Sequence, residues 1–142
     1  MDKNQVVSVK GDSLADGAHL EMRHNTSAAS QWWHFERDSD GLFSITNKNS
    51  GQYLSIVDDA VGNSKYIVQK SSGDTLYQKW KIVRDSKGFV KFVSAADESY
   101  EICVFNYHTE DGAEVRLYQA NGDHWRSFKL TNEVYKLGKK LN

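Results

Sequence analysis

The chain has 142 residues, of which 39% are hydrophobic and 26% charged, a balance that fits one globular domain and excludes extensive disorder. Its formal net charge of −1, with the basic residues scattered, excludes the strongly basic face that nucleic-acid binding requires. A single cysteine, Cys103, excludes an internal disulfide, so the core alone must stabilise the fold.

Two further features bear on where the protein acts. No apolar run approaches the roughly 18 residues of a membrane helix, so we expect no membrane insertion. The first residues, Met1 to Gln5, form no apolar stretch, so we expect no secretory signal in this sequence. Localisation stays open between a cytoplasmic protein, export without a leader, and loss of a leader or neighbouring domain.

Short runs in which apolar residues alternate predict strands along the whole chain. The runs are rich in Val, Ile, Tyr and Phe, and Gly, Asn, Asp and Ser lie between them. After a first strand at 7–9, the clearest runs predict four strands, at 42–46, 53–57, 66–70 and 78–83. No segment has helical periodicity, and residues 13–15 and 95–98 each allow one 3₁₀ turn at most.

The same pattern recurs three times, at spacings of 47 or 48 residues. The units share a tripeptide in their last strand, which reads Gln31-Trp32-Trp33, Gln78-Lys79-Trp80 and Arg126-Ser127-Phe128. They also share an apolar-x-apolar strand, at 7–9, 54–56 and 102–104. One single-residue gap aligns the whole chain, which predicts three copies of one structural unit within a single domain.

Three units of four strands predict a closed barrel with threefold pseudosymmetry, because closure removes exposed strand edges. We place the units at about 7–41, 42–88 and 89–130, with a closing strand and tail at 131–142. The first unit begins at its second strand. Residues 133–137 alternate as a strand does, so we expect them to pair with the strand near Val7 and close the barrel.

The shared tripeptide resembles the Gln-x-Trp repeat of the ricin B-type lectin family, and the similarity covers about residues 7–130. Further matching pairs are Asp16-Gly17, Ser50-Gly51 and Asp111-Gly112. The resemblance implies an all-β fold, a β-trefoil, and a non-catalytic lectin or carbohydrate-binding module whose partners are glycans or glycoconjugates. It favours an extracellular protein that binds weakly and gains affinity as an oligomer or as part of a larger protein.

Within this family pattern, we interpret the tripeptides as structural. We expect Trp33, Trp80 and Phe128 to occupy equivalent buried positions, each contributing a large apolar area. We expect Gln31 and Gln78 to hydrogen-bond to backbone near the barrel turns, as buried polar groups must.

The family's usual sugar site places an Asp in the middle of the apolar-x-apolar strand and an aromatic ring six residues after the Gly. The Asp positions hold Ser8, Ser55 and Cys103 in this chain. The ring positions hold Arg23, Lys70 and Tyr118. The Asp is therefore missing from every unit, and only the third unit keeps the ring.

The third unit carries the main candidate site. Saccharide pockets need a flat apolar platform beside a few fixed polar groups. The unit offers such groups at Asp111, Arg116, Tyr118, Asn121, Asp123, His124 and Trp125. We predict Tyr118 as the platform, Asp111 and Asn121 as hydroxyl partners, and Arg116 as a partner for an acidic glycan. The alternative is that 121–123 form a polar turn and that Tyr118 and Trp125 pack on the barrel.

The other two units offer secondary candidates. In the second unit, Asp58 and Asp59 follow the apolar-x-apolar strand and could replace its lost Asp, although a turn would explain them equally. In the first unit, the candidates are His24, Asn25 and Trp32.

No sequence motif indicates catalysis, a cofactor or a metal. His-Glu-x-x-His and a Cys pair are absent, and Asp38-Ser39-Asp40-Gly41 is explained by a hairpin turn, because its repeat partner has Lys87 in place of Asp40. We therefore expect no enzyme. Two functions remain: a carbohydrate-binding module, and a protein-interaction domain or toxin-complex subunit that has lost sugar binding.

Overall fold

The computed structural model describes residues 5–105, 110–120 and 127–129, and this part of the chain is built from short strands. Its ten strands are β1 (Gln5–Val9), β2 (Leu20–His24), β3 (Trp33–Arg37), β4 (Phe43–Asn47), β5 (Tyr53–Ile56), β6 (Lys65–Lys70), β7 (Trp80–Arg84), β8 (Val90–Ser94), β9 (Tyr100–Val104) and β10 (Ala113–Gln119). The four strands predicted for the second unit correspond to β4, β5, β6 and β7, within two residues at each end.

Single 3₁₀ turns lie between strands, but at other places than the sequence suggested. They span Lys10–Asp12, Ala29–Gln31, Val57–Asp59 and Leu76–Gln78. The first and third follow equivalent strands, and the second and fourth precede equivalent tryptophans. Residues 13–15 and 95–98 form bends and turns instead. The positions of the 3₁₀ turns thus follow the repeat, and they could not be predicted from local composition.

Three equivalent antiparallel hairpins form one end of the molecule. They are β1–β2, β5–β6 and β9–β10, and their registers agree at Ser8↔Glu21, Ser55↔Val68 and Cys103↔Arg116. β10 pairs with both β2 and β6, and a bridge between His19 and Val68 joins the first hairpin to the second. The three hairpins therefore surround a pseudo-threefold axis.

The barrel is formed by the remaining strands, with β3 paired to β4 and β7 paired to β8. These two hairpins are also equivalent, because Phe35↔Ile45 in the first corresponds to Ile82↔Phe92 in the second. Phe128 pairs with Val90 and so continues the barrel in the third unit. A barrel capped by three symmetry-related hairpins is a β-trefoil, which confirms the predicted fold class.

The core is filled from equivalent positions of the three units. Trp33 and Trp80 are 0% exposed and Phe128 is 2% exposed, as predicted. The Trp33 indole donates a hydrogen bond to the carbonyl of Val7, and the Trp80 indole to that of Leu54, each over 3.0 Å. Each of the two tryptophans therefore both fills the core and ties the last strand of its unit to the second strand.

The buried glutamines of the tripeptides bond to backbone, which confirms their structural role. The Gln31 amide donates to the carbonyl of His24 at 2.7 Å and accepts from the amide of Thr26 at 2.8 Å. The Gln78 amide donates to the carbonyl of Ser71 at 2.8 Å and accepts from Gly73 at 2.9 Å. Each side chain therefore provides hydrogen-bond partners for backbone groups of the loop between the third and fourth strands of its unit.

The pairing of residues 133–137 with the strand near Val7 falls outside the described residues and stays a prediction. In the part of the chain that the structure describes, no helix has the length and hydrophobicity to span a bilayer.

Candidate functional site

The three positions at which the family's usual site carries an Asp are buried in this protein. The Ser8 hydroxyl donates to the carbonyl of Val6 and accepts from the Gln31 amide at 3.1 Å. The Ser55 hydroxyl donates to the carbonyl of Tyr53 at 2.8 Å, and Cys103 is 4% exposed. None of the three therefore presents a carboxylate to a ligand, and any site must use other residues.

Asp111, a predicted hydroxyl partner, lies where the third unit meets the first. Its Oδ1 accepts hydrogen bonds from the backbone N–H of His24 at 2.7 Å and from the Gln5 amide at 3.2 Å. The bond from Gln5, together with that from His24, lowers the pKa of Asp111 below its ordinary value. The carboxylate is thus ionised and oriented by two fixed donors.

The contact between Asp111 and His24 is repeated around the axis. Asp16 accepts from the backbone N–H of Ser71, and Asn63 accepts from that of Gln119, both at 2.8 Å. Each unit therefore holds its neighbour through one polar side chain. Asp111 has this structural role whether or not it also contacts a ligand.

Arg116 is enclosed between two aromatic rings. Its guanidinium carbon lies 4.5 Å from the centroid of the Tyr66 ring and 3.7 Å from that of Phe105. Nη2 donates to the Tyr66 hydroxyl at 3.0 Å and to Glu114 at 2.7 Å, while Nη1 donates to the hydroxyl of Ser64 at 2.5 Å. Burial opposes the charge, but the hydrogen bond and charge of Glu114 outweigh it, and the net effect raises the pKa of Arg116.

Tyr118, the predicted platform, is half-buried and anchored at its hydroxyl, which donates to Ser64 at 2.9 Å. Its ring lies nearly parallel to that of Phe105, with the centroids 6.3 Å apart and the planes at 13°. The residue predicted as the platform is therefore one of a pair of rings. Phe105 escaped the sequence analysis, although its repeat equivalents Lys10 and Val57 show that an aromatic residue there is specific to the third unit.

A cavity of about 300 Å³ lies beside this ring pair. It is lined by Lys10, Phe105, Glu110, Asp111, Gly112, Ala113 and Glu114. The structure therefore brings Asp111 and Phe105 to one cavity, with Arg116 and Tyr118 packed against Phe105. The predicted residues Asn121 and Trp125 lie outside the described residues and stay predictions, as do Asp123 and His124.

The second-unit candidates, Asp58 and Asp59, lie in the 3₁₀ turn Val57–Asp59. Both have left-handed backbone angles, with φ of 59° and 47°, and Gly11 with φ of 64° is the equivalent of Asp58 in the first unit. Asp59 forms an ion pair with Lys70 at 3.4 Å. A turn thus accounts for both residues, and Lys70, at the ring position, is paired with one of them.

The first-unit candidates make contacts within their own unit or with its neighbour. The Trp32 indole donates to the carbonyl of Ser27 at 3.2 Å, and the backbone N–H of His24 is bound by Asp111. Asn25 accepts from the backbone N–H of Ser27 at 2.9 Å. At the ring position, Arg23 pairs with Glu21, whose hydrogen bond and charge raise the pKa of Arg23.

A second cavity, of about 210 Å³, lies between the first and second units. Its lining is Glu36, Ser44, Tyr53, Ser72, Asp74, Gln78 and Lys79. Sequence analysis missed this cavity because its residues come from two units and share no motif. Among residues 5–105, 110–120 and 127–129, no three His, Cys, Asp or Glu side chains are placed to bind a metal ion.

A β-trefoil with three Gln-x-Trp-like strands and altered sugar positions defines a class of lectin-like domain, and comparison with known proteins agrees. The family model described as ricin-type beta-trefoil lectin domain-like matches residues 1–59 and 29–118. These matches together cover most of the chain, so the protein belongs to this family, and the predicted resemblance is confirmed. No curated protein matches the sequence.

Solved structures show the same fold at low sequence identity. The designed threefold-symmetric protein ThreeFoil is 22% identical, with 95% of this chain and 91% of the design covered and a TM-score of 0.84. The exo-beta-1,3-galactanase 1,3Gal43A of Clostridium thermocellum is 23% identical, with 96% and 28% covered and a TM-score of 0.84. A mosquitocidal holotoxin is 21% identical, with 99% and 16% covered and a TM-score of 0.82. The chain thus spans about a quarter of the galactanase and a sixth of the holotoxin.

Proposed function

We propose that the protein is a non-catalytic carbohydrate-binding module that recognises glycans or glycoconjugates through its third unit. The observation that carries this proposal is the ring pair Phe105–Tyr118 beside a cavity lined by Asp111. An apolar platform next to fixed hydrogen-bonding groups is the combination that saccharide binding requires. Membership of a lectin-like family supports the class of ligand.

Each group has a distinct part in this proposal. The rings offer apolar surface to the C–H face of a sugar, and Asp111 and Glu114 accept hydrogen bonds from its hydroxyls. Arg116 has its Nη atoms engaged by Ser64, Tyr66 and Glu114. We therefore propose that it positions Phe105, in place of the direct contact with an acidic glycan that the sequence suggested.

The expected affinity is low for a single site. A shallow, solvent-open cavity gains little net free energy from hydrogen bonds that compete with water, and binding also orders the ligand. We expect a monovalent Kd on the order of 1 mM, which corresponds to about −4 kcal/mol. Assembly, or inclusion in a larger protein, would raise the apparent affinity through multivalency.

A glycan array with the biotinylated chain displayed on streptavidin tests the proposal. We expect the wild type to bind a restricted set of glycans, Tyr118→Ala to lose them, and Tyr118→Phe to retain most of the signal because it keeps the ring. Trp32→Ala, which removes an aromatic ring of the first unit, is the matched control and should bind as the wild type does. Circular dichroism verifies that each variant is folded.

Two results would count against the third-unit site. Binding that survives Tyr118→Ala but is lost in Asp58→Asn or Asp59→Asn would move the site to the second unit. A wild-type array without any signal would reject glycan binding.

The second candidate function is a protein-interaction domain or toxin-complex subunit that has lost sugar binding. The observation that favours it is that Ser8, Ser55 and Cys103 are buried where the family's usual site needs an exposed carboxylate. The structural likeness to one portion of a holotoxin fits this candidate as well. An empty array from a correctly folded protein would favour it over the carbohydrate-binding module.

A further inference from the structure

The cavity between the first and second units, called the Tyr53 cleft below, is built from three segments. Glu36 and Ser44 project from β3 and β4, Tyr53 from β5, and the rest of the lining from the segment between β6 and β7. Its volume of about 210 Å³ suits a single sugar ring and is too small for a drug-sized molecule. Ser55 and Lys70, which hold the family's usual sugar positions in this unit, do not line the cleft.

Four polar side chains of the cleft are available to a ligand. Within the described residues, the carboxylates of Glu36 and Asp74 and the hydroxyls of Ser44 and Ser72 have no hydrogen-bond or ion-pair partner. Two acceptors and two hydroxyls thus surround the partly exposed ring of Tyr53. This is a second place where apolar and hydrogen-bonding surfaces meet.

The remaining lining residues are already paired. The Lys79 ammonium donates to Asp38 at 3.2 Å, which neutralises its charge, and the Gln78 amide is engaged by backbone. The uncompensated charge of the cleft is therefore negative, from Glu36 and Asp74.

The equivalent space in the next unit is closed by an ion pair. Ser44 corresponds to Lys91 and Tyr53 corresponds to Glu101. The Lys91 ammonium lies 3.7 Å from Glu101 and so occupies the space between the two strands. The cleft is open in the second unit because a small serine stands where that lysine would reach across.

The first unit differs at the equivalent positions that the structure describes. Val6, the equivalent of Tyr53, is apolar and 1% exposed. Trp32, the equivalent of Lys79, turns its indole toward Ser27, which corresponds to Asp74. The open cleft is therefore a consequence of particular residues of the second unit and does not follow from the β-trefoil itself.

We propose that the Tyr53 cleft is a second saccharide site and that it takes a neutral or amino sugar. Glu36 and Asp74 accept hydrogen bonds from adjacent hydroxyls, and Tyr53 packs against the C–H face of the ring. The negative charge favours an ammonium substituent and repels a carboxylate. The inference rests on the proposed function only for the class of ligand, because it uses none of the third-unit residues.

The test is an NMR titration of the ¹⁵N-labelled chain with three probes: methyl β-D-glucosaminide, methyl β-D-galactoside and methyl β-D-glucuronide. We expect the glucosaminide to bind most tightly and the galactoside less tightly, each shifting the backbone amides of residues 72–79. The glucuronide should bind the cleft at least fivefold more weakly than the glucosaminide. Equal binding of the glucuronide would overturn the proposed ligand class.

Two variants define the site. Glu36→Gln combined with Asp74→Asn should weaken binding of the glucosaminide by about tenfold, which is about 1.4 kcal/mol. The double variant should also bind the glucosaminide no more tightly than the glucuronide. Ser44→Lys combined with Tyr53→Glu places the Lys91–Glu101 pair in the second unit. It should abolish the shifts at residues 72–79 while the rest of the spectrum, and hence the fold, is retained.

The two proposals fail separately. If no probe shifts residues 72–79 while the third unit responds, the cleft is not a saccharide site and the proposed function stands. If residues 72–79 respond equally in the wild type and in Tyr118→Ala, while the third unit does not respond, the cleft is a saccharide site and the proposed third-unit site is wrong.

Discussion

The inner and outer faces of the three capping hairpins differ in how closely the units resemble one another. On the inner face, Leu20, Ile67 and Val115 are equivalent and all buried. On the outer face, the next position along each strand differs between the units. Glu21 is a buried acid paired with an arginine, Val68 is apolar, and Arg116 lies between two aromatic rings. The inner positions thus hold similar residues in all three units, whereas the outer positions hold a different kind of residue in each unit.

This difference supports the proposal that the ligand site lies in the third unit. A core residue must fit two symmetry-related neighbours, so its choice is narrow. A residue on the other face has no symmetry-related partner to fit, even where it is buried, as Val68 and Glu21 are. In this chain the outer ring positions of the first two units carry ion pairs, and the third carries Tyr118. We therefore propose that the binding site of this chain lies where the third unit departs from the repeat.

The largest effect should come from an inner aromatic residue. Trp80→Ala removes a fully buried indole and its hydrogen bond to Leu54, so we expect the free energy of unfolding to fall by about 3–5 kcal/mol. Trp32→Ala, on the outer side of the equivalent strand, should cost about 1 kcal/mol or less. Urea unfolding followed by circular dichroism measures both. Equal losses for the two tryptophans would remove the distinction between the faces.

A buried amide should have an intermediate effect. Gln78→Ala leaves the carbonyl of Ser71 and the N–H of Gly73 without their partner, so we expect a loss of about 1–3 kcal/mol. Gln31→Ala should cost at least as much, because Gln31 makes the equivalent backbone bonds and also donates to the Ser8 hydroxyl at 3.1 Å. The same denaturation assay applies, and a loss at one site but not the other would show that the units are not energetically equivalent.

The contact between the third and first units should make stability depend on pH. Hydrogen bonds from Gln5 and His24 lower the pKa of Asp111, so its ionised form stabilises the folded state above the unfolded pKa of about 4. This contribution is lost as the pH falls from about 4 through the folded pKa. Asp111→Asn can still accept both bonds but does not titrate. Its stability deficit at pH 7 should therefore shrink at pH 3, and a deficit independent of pH would contradict this account.

The smallest effect should come from an outer ion pair. Lys70 and Asp59 are 27% and 50% exposed in their side chains and lie 3.4 Å apart, so solvent screens their attraction. We expect Asp59→Asn to change the free energy of unfolding by less than about 0.5 kcal/mol. Thermal melts at low and high salt measure it, and a loss above about 1 kcal/mol would mean that this turn is structurally important.

The burial of the tripeptide residues could be predicted from the sequence. Residues repeated at 47 or 48 positions, such as Trp33 and Trp80, are buried as expected because a periodic signal reports on shared packing. The importance of Phe105 and the existence of the Tyr53 cleft were not predicted. Both depend on side chains that meet across unit boundaries, and such meetings have no fixed spacing in the sequence.

The candidate site was predicted in part for the same reason. Tyr118 was identified from the repeat register, and the structure places it beside Phe105, close to the cavity that Asp111 lines. The sequence could not show that Arg116 is enclosed by Tyr66 and Phe105, because Tyr66 belongs to another unit. Its contacts within the protein are the reason why we propose a positioning role for Arg116, whereas its role as a ligand contact stays a prediction.

The most direct test of the central claim is a chemical-shift map of the ¹⁵N-labelled wild type with the strongest glycan from the array. The account predicts shifts at Phe105 and residues 110–120, with none at the equivalent first-unit residues 15–18, which do not line that cavity. Shifts of similar size at equivalent positions in all three units, or no shift in the third, would contradict the claim that binding arises where the third unit departs from the repeat.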